Sequence, residues 1–435
     1  MSSIQIGFGG LIALLFLIGG GVHIAVALLV VGFGGIALVC SMDAALQLLG
    51  WMPYNSLALF AFVTMPLFIL MGEFAHYTGA STAAFSTCYR LLGNLSGGLA
   101  MAVTAACALF GACSGSSIAA AATMARISYP ELKKFGYDKG FSAALIAASG
   151  SLAVLIPPSV ILIFYAMLTE QSLARLLLAG AFPGILSAFM YMLAIYLRVK
   201  LNPKIAPQKV HYSWREKIRS LPSLIGILFI VVFTIGGMYI GIFTASEAAA
   251  TGAALTLVMA LFKRTLNFQI LRKSIRMASI TTCAIFFIVF GALIFGKFLS
   301  LSGVTNYVIS AVSESSLPPV LVLIAILGIF LVLGCILEAA SMLAVTLPVI
   351  FPIIVSVGYD PIWFGIVCVK MVEVSVLTPP LGLNIFAVKG VIGKEVPLEN
   401  MFANILPFIL ADIVTIVLLT LFPQIALFLP NTFVG

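Results

Sequence analysis

Three observations predict an all-α, polytopic membrane protein folded as an inverted repeat, with two re-entrant helical hairpins and two discontinuous helices. The first is composition. Of 435 residues, 62% are hydrophobic and 8% charged, whereas a soluble chain of this length needs roughly 25% charged residues to cover its surface. The second is a set of interruptions inside apolar sequence: Gly111-Ala-Cys-Ser-Gly-Ser-Ser117, Ile156-Pro-Pro-Ser159, Gly334-Cys-Ile-Leu-Glu-Ala-Ala-Ser-Met342 and Leu377-Thr-Pro-Pro-Leu-Gly-Leu-Asn384. Lipid offers a peptide group no hydrogen bond, so open backbone at that depth survives only inside protein or beside a watery cavity. The third is recurrence: the last two interruptions repeat the first two about half a chain later.

Residues 1–56 read as N-terminal scaffold. Ile4 to Val39 is apolar around Gly19-Gly20-Gly21, as one tilted span or two short ones. No basic n-region precedes it, so a retained span is expected rather than a cleaved signal. Residues 57–200 form the first copy. Leu57 to Ala75 is a span. Leu99 to Phe110 and Ile118 to Ala125 are each too short for the ~20 residues a bilayer requires, which makes a hairpin over about 99–125. Phe141 to Leu168 crosses with a break at Pro157-Pro158, where φ is fixed and N–H donors are missing. Leu173 to Leu197 returns.

Residues 201–279 hold two basic loops and two connecting scaffold helices, Leu221 to Ile240 and Glu247 to Phe262. Of the 22 basic residues, seven fall between Arg198 and Arg219 and five between Lys263 and Arg276. That clustering places these loops in the cytoplasm and argues against a nucleic-acid partner for the +8 net charge. Residues 280–429 form the second copy. It comprises Ile280 to Leu301, a hairpin over about 320–357, a helix over about 363–388 broken at Pro379-Pro380, and a last span from Ala403 to Leu429.

The repeat is anchored in order at a nearly constant spacing of 222 to 224 residues. Gly72, Phe74 and Gly79 match Gly296, Phe298 and Gly303. Gly111 matches Gly334, Gly136-Tyr-Asp138 matches Gly358-Tyr-Asp360, and Pro157-Pro158 matches Pro379-Pro380. Five crossings separate Leu57 from Ile280, an odd number, so the copies are expected to be oppositely oriented, as in an ion-transporter-like inverted repeat.

A broken helix frees N–H groups with partial positive charge at one half-helix end and carbonyls at the other. The first suits a carboxylate and the second a small hard cation such as Na⁺. The hydroxyls and open backbone of Ser114 to Ser117 face the carbonyls freed before Pro157-Pro158, and Gly334 to Ser341 face Thr378 to Gly382. The expectation is two pseudo-symmetric cation sites with an anion between them. Glycine- and serine-rich runs also serve close helix packing; recurrence at matched positions favours the site.

Intramembrane charges are costly. Glu338 could ligate a cation, or cap free N–H groups at a helix start. Lys370 and Glu373, three apart, lie on one helical face and can pair. Glu73 and Lys297 occupy mated positions, and Lys297 could attract an anionic substrate or serve the scaffold. Seven cysteines without CxxC spacing, three scattered histidines and the lack of nucleotide or hydrolase motifs lead us to expect no zinc, haem or nucleotide and no enzyme activity. The rival enzymatic reading is an intramembrane hydrolase using Ser116 or Ser117, which requires a His or Lys base facing the serine.

The chain resembles the large membrane subunit of tripartite ATP-independent periplasmic (TRAP) transporters. The resemblance is carried by Met65-Pro-Leu-Phe-Ile-Leu-Met-Gly72, Gly111-x-x-Ser-Gly-Ser-Ser117, Ile156-Pro-Pro-Ser159, Phe182-Pro-Gly184, Glu247-Ala-Ala-Ala250 and Thr378-Pro-Pro-Leu-Gly382. It implies a multi-pass subunit of the bacterial inner membrane that works by an elevator movement. It implies Na⁺-driven import of an organic acid, such as a C4-dicarboxylate, sialic acid or related sugar acid. A small four-helix membrane subunit and a periplasmic substrate-binding protein are the implied partners. Carried over by motif, one sodium site falls at Ser114, Gly115, Ser116, Pro157 and Pro158. The other falls at Gly334, Glu338, Ala339, Thr378, Pro379 and Gly382, with Ser117 and Asn384 near the substrate. A stand-alone Na⁺/carboxylate symporter of similar build is the alternative.

Overall fold

Apolar sequence with capped ends folds into helices throughout. The computed structural model describes residues 2–206, 211–315 and 317–433. The N-terminal region is two short helices, α1 (Ser3–Gly19) and α2 (Ile24–Val39), because the glycine run ends the first; α3 (Met42–Leu57) follows. A 3₁₀ turn over Phe60–Val63 leads into α4 (Thr64–Tyr77), and α5 (Ala80–Leu92) precedes α6 (Gly98–Ser114) and α7 (Ser117–Lys134). Next come α8 (Lys139–Leu155) and α9 (Val160–Thr169), bent by 43° at their break. After α10 (Leu173–Ala179) and α11 (Ala181–Leu201), the connecting region holds α12 (Trp214–Ser220), α13 (Pro222–Val231), a π-helical turn, α14 (Gly237–Tyr239) and α15 (Ala245–Phe262).

The second half opens with α16 (Phe268–Ser302), followed by α17 (Val304–Glu314), α18 (Pro319–Gly334) and α19 (Ala339–Ser356). Then come α20 (Pro361–Leu377) and α21 (Leu383–Ile392), separated by the second break, and finally α22 (Leu398–Leu421) and α23 (Gln424–Thr432). Among the described residues, seven helical stretches are long and apolar enough to cross a membrane, eight with the bent pair. Several boundaries differ from the sequence expectation. Leu57 closes α3, and the first long span begins only at Phe60. Helix α16 begins at Phe268, carrying three basic residues of the preceding loop into the helix. The single last span divides, since α22 stops at Leu421 and Phe422-Pro423 starts a separate helix.

The order of α4 to α9 is repeated by α16 to α21: two consecutive helices joined at a left-handed glycine, two arms meeting at a tip, then a helix that breaks. The caps repeat as well. Gly79 and Gly303 stand in the left-handed region, at φ 72° and 79°, at the starts of α5 and α17. Asp138 accepts the Phe141 N–H at 2.7 Å as Asp360 accepts the Trp363 N–H at 2.9 Å.

Helices α8 and α20, the arms preceding the two breaks, form the centre. Every residue of α8 from Gly140 to Leu155 and of α20 from Ile362 to Leu377 is buried, and the two helices pack on each other. Both helices are apolar around nearly their whole circumference, as helices inside a bundle are, with Lys370 and Glu373 of α20 as the charged exceptions. Small residues bring the neighbours close: a Cβ on Gly150 would lie 2.6 Å from the Ala121 Cβ, and one on Gly111 would lie 2.7 Å from the Ala153 Cα.

Candidate functional site

The site grows from two helix tips and two helix breaks. Helix α6 ends in Ser114, and Gly115 turns the chain at φ 62°, which favours glycine. Ser116 then caps α7, its Oγ accepting the Ala119 N–H at 3.4 Å. At the second tip the equivalent cap is Glu338. Its Oε1 accepts the Ser341 N–H at 3.0 Å and the Ser341 hydroxyl at 2.9 Å, so of the two roles open to Glu338, the capping role is realised.

At the first break, Ser159 restarts the helix by accepting the Leu162 N–H at 3.2 Å. At the second, the Thr378 hydroxyl donates to the Val374 carbonyl at 2.7 Å and Gly382 stands at φ 51°. Tip and break meet: a Cβ on Gly115 would be 3.0 Å from the Pro158 carbonyl oxygen, and one on Gly72 of α4 would be 2.9 Å from that of Ser114.

Both tips open on one cavity of about 1130 Å³. Its walls include Ser114 to Ala119 from the first tip, Ile336 to Ser341 from the second, Leu381 from the second break, Glu73 and His76 from α4, Arg126 from α7, and Lys273 from α16. Ser114, Gly115, Ser116, Ser117, Glu338 and Ala339 therefore share one space. Pro157, Pro158, Gly334, Thr378, Pro379 and Gly382 lie outside its walls, in or beside the elements that shape it. The Ser114 hydroxyl is buried without a hydrogen-bond partner, an unmet valence beside the tip.

Two expected substrate residues are not among the cavity walls. Asn384 is fully buried next to the wall residue Leu383; its amide N–H donates to the Ala147 carbonyl at 3.2 Å, tying the second broken helix to α8, and its Oδ1 has no hydrogen-bond partner. Lys297 is exposed and off the cavity wall. The wall residues of α16, Lys273, Met277, Ile280, Thr281, Ala284 and Ile288, recur at helical spacing, and Lys297 lies nine residues past Ile288, half a rotation away. Sequence reading passed over His76, Arg126 and Lys273 as wall residues, because basic side chains near loop ends look like topology signals. No base hydrogen-bonds Ser116 or Ser117 among the described residues, and Ser116 is occupied as a cap.

A second polar cluster lies deeper. Lys370 Nζ sits 2.6 Å from Glu373 Oε2 and 2.6 Å from Asp412 Oδ1, all three side chains fully buried. The Tyr191 hydroxyl donates to Asp412 Oδ2 at 2.8 Å and lies 3.2 Å from the Ser151 hydroxyl. The Lys370–Glu373 pairing follows the sequence expectation. Asp412, an acid within the last apolar span, was passed over though its cost in a membrane is a local signal; Tyr191 carried none, and the two reach the cluster from α22 and α11.

Comparison with known proteins agrees with this architecture. Residues 10–425 match the family model described as the tripartite ATP-independent periplasmic transporter, DctM component. The chain is 32% identical over 373 residues to the C4-dicarboxylate TRAP transporter large permease protein DctM of Pseudomonas aeruginosa, covering 86% of each. It is 29% identical over 377 residues to the sialic acid TRAP transporter large permease protein SiaM of Vibrio cholerae, covering 86% of this chain and 87% of that one. Its fold is similar to that of the Alcanivorax borkumensis YdaH transporter, with a TM-score of 0.65 at 14% identity over 88% and 89% of the two chains. The chain is thus a transport permease rather than an enzyme, and it belongs to the DctM family of large membrane subunits of tripartite ATP-independent periplasmic transporters.

Proposed function

We propose that this permease imports an organic acid across the bacterial inner membrane on the Na⁺ gradient. The cargo is a C4-dicarboxylate, a sialic acid or a related sugar acid, the first two being substrates named for relatives. A periplasmic binding protein delivers the acid, and a small four-helix membrane subunit completes the scaffold. The observation that carries the reading is the convergence of both tips on one cavity, with the Ser114 hydroxyl left unpartnered there.

In this reading the two tips are re-entrant and the two copies face the membrane in opposite senses, a build found in many secondary transporters. Carbonyls freed before Pro157-Pro158 and around Thr378 to Gly382 join the tip hydroxyls as oxygen ligands suited to Na⁺. The N–H ends of the half-helices, with Ser117, favour a carboxylate. Sodium binding orders the tips, so the anion meets a preformed site and the affinities are coupled. The body bearing tips and breaks then crosses as an elevator against a scaffold that includes α1 to α3 and α15.

The test is reconstitution in liposomes with the small subunit, the binding protein and labelled acid. Uptake should require an inward Na⁺ gradient and all three proteins. Uptake by this chain alone would instead identify a stand-alone symporter, and uptake indifferent to Na⁺ would refute the coupling.

A further inference from the structure

The Lys370–Glu373–Asp412 cluster is out of charge balance. Two carboxylates face one ammonium, all fully buried, and an uncompensated charge inside a protein is strongly unfavourable. One further positive charge is needed. Glu373 Oε1 marks its place: it is buried, Lys370 Nζ holds only the other oxygen of the carboxyl, and Oε1 has no hydrogen-bond partner. We propose that the cluster is a proton-binding site, with one proton on Glu373 Oε1 between the arms of the two broken helices.

A metal ion fits less well. Lys370 Nζ already fills the space between the carboxylates at 2.6 Å from each, and none of the three residues lines the cavity. A proton needs no added volume. The groups facing Glu373 are Lys370 on its own helix, Asp412 on α22 and Tyr191 on α11. Helix α8 adds the Ser151 hydroxyl and no ionisable group at this depth, and α18 carries none. With Lys370 and Asp412 paired and Glu373 neutral, the charge sums to zero. The proton comes from water and returns to it, breaking and forming only the Oε1–H bond. Its loss would leave a negative charge where α8 meets α20, so proton occupancy bears on how the two arms pack.

The site is tested on the purified full-length chain by infrared spectroscopy, independently of Na⁺-driven uptake. The carbonyl stretch of a protonated carboxylic acid should be present at neutral pH without added sodium, shift in D₂O, and fade in alkali. Glu373→Gln should remove the band. Asp412→Asn should also remove it, because charge balance then no longer calls for a proton. A wild-type spectrum without a protonated carboxyl overturns the proposal whatever the variants do, and so does a band that survives intact in Glu373→Gln.

Discussion

Gly334 lies directly against Ser375: a Cβ built on this glycine of α18 would come within 2.1 Å of the serine Cβ on α20. In the first half Gly111 meets Ala153 in the same way, with the built Cβ 2.7 Å from the Ala153 Cα. In each copy the hairpin arm docks on the helix that is about to break, so the tip is positioned by close packing. Gly334→Ala should cost about 1 to 3 kcal/mol by overpacking, read as a lower melting temperature of the purified subunit. Ser375→Gly in the same chain should recover much of it. An unchanged melting temperature in Gly334→Ala would refute the contact.

The buried cluster makes a second prediction. Lys370→Met takes the ammonium away from the buried Asp412 and Glu373, leaving a buried charge without its partner, and breaking such a pair from one side costs about 3 to 5 kcal/mol. The variant should be recovered poorly from membranes. Adding Glu373→Gln and Asp412→Asn should restore much of the yield, since an apolar or neutral replacement of a whole ionic cluster is far less costly than half of one. Equal yields for the single and triple variants would contradict this.

The breaks and tips were legible because their signal is local. A proline pair within Leu155 to Ser159, or Gly115 between two apolar arms, disrupts a helix wherever the helix lies. The repeat was legible for the same reason, as glycine, proline and capping aspartate recur at fixed spacing. What was hidden is azimuth and distant partnership. Lys297 sits in apolar sequence like a substrate residue, yet only the fold shows it on the far side of α16 from the cavity. Asn384 follows a break as a ligand would, and only the fold shows that its amide N–H is bound to Ala147 while its Oδ1 is left without a partner. Asp412 and Tyr191 are 221 residues apart, and no pattern within either helix announces their contact.

Lys297 supplies a negative control. Its side chain is exposed and away from the cavity wall, so Lys297→Gln should leave the KM and maximal rate of uptake within about twofold, the scale of surface changes worth under 0.5 kcal/mol. A severalfold rise in KM would return this residue to the substrate path.

An exposed pair gives a pH prediction. Lys133 on α7 donates to both oxygens of Glu395, at 3.0 and 2.8 Å, and this hydrogen bonding holds the Glu395 carboxyl below its ordinary value of 4.5. A carboxyl depressed in the folded state adds stability above the unfolded value and loses it as pH falls through the folded one. With 48% and 43% of the side chains exposed, the effect is small. Lys133→Ala should melt slightly below the wild type at neutral pH, and the gap should close at pH values well under 4.5. A gap that widens in acid would exclude this pairing as its source.

The tips and breaks carry the transport reading, so their chemistry is the decisive target. Ser117 lines the cavity beside the first tip. Removing one hydroxyl there in Ser117→Ala forfeits about 1 kcal/mol of interaction, roughly a fivefold rise in the substrate or sodium concentration needed for half-maximal uptake. Replacing Pro157 and Pro158, or Pro379 and Pro380, with alanine lets the helix close its own hydrogen bonds across the break. That withdraws the free carbonyls from the ion, so the loss of Na⁺-driven uptake should exceed that of Ser117→Ala, while membrane expression falls much less. If both proline-pair variants and Ser117→Ala transported like the wild type at matched expression, the interruptions would be kinks in the packing and the sodium sites would lie elsewhere.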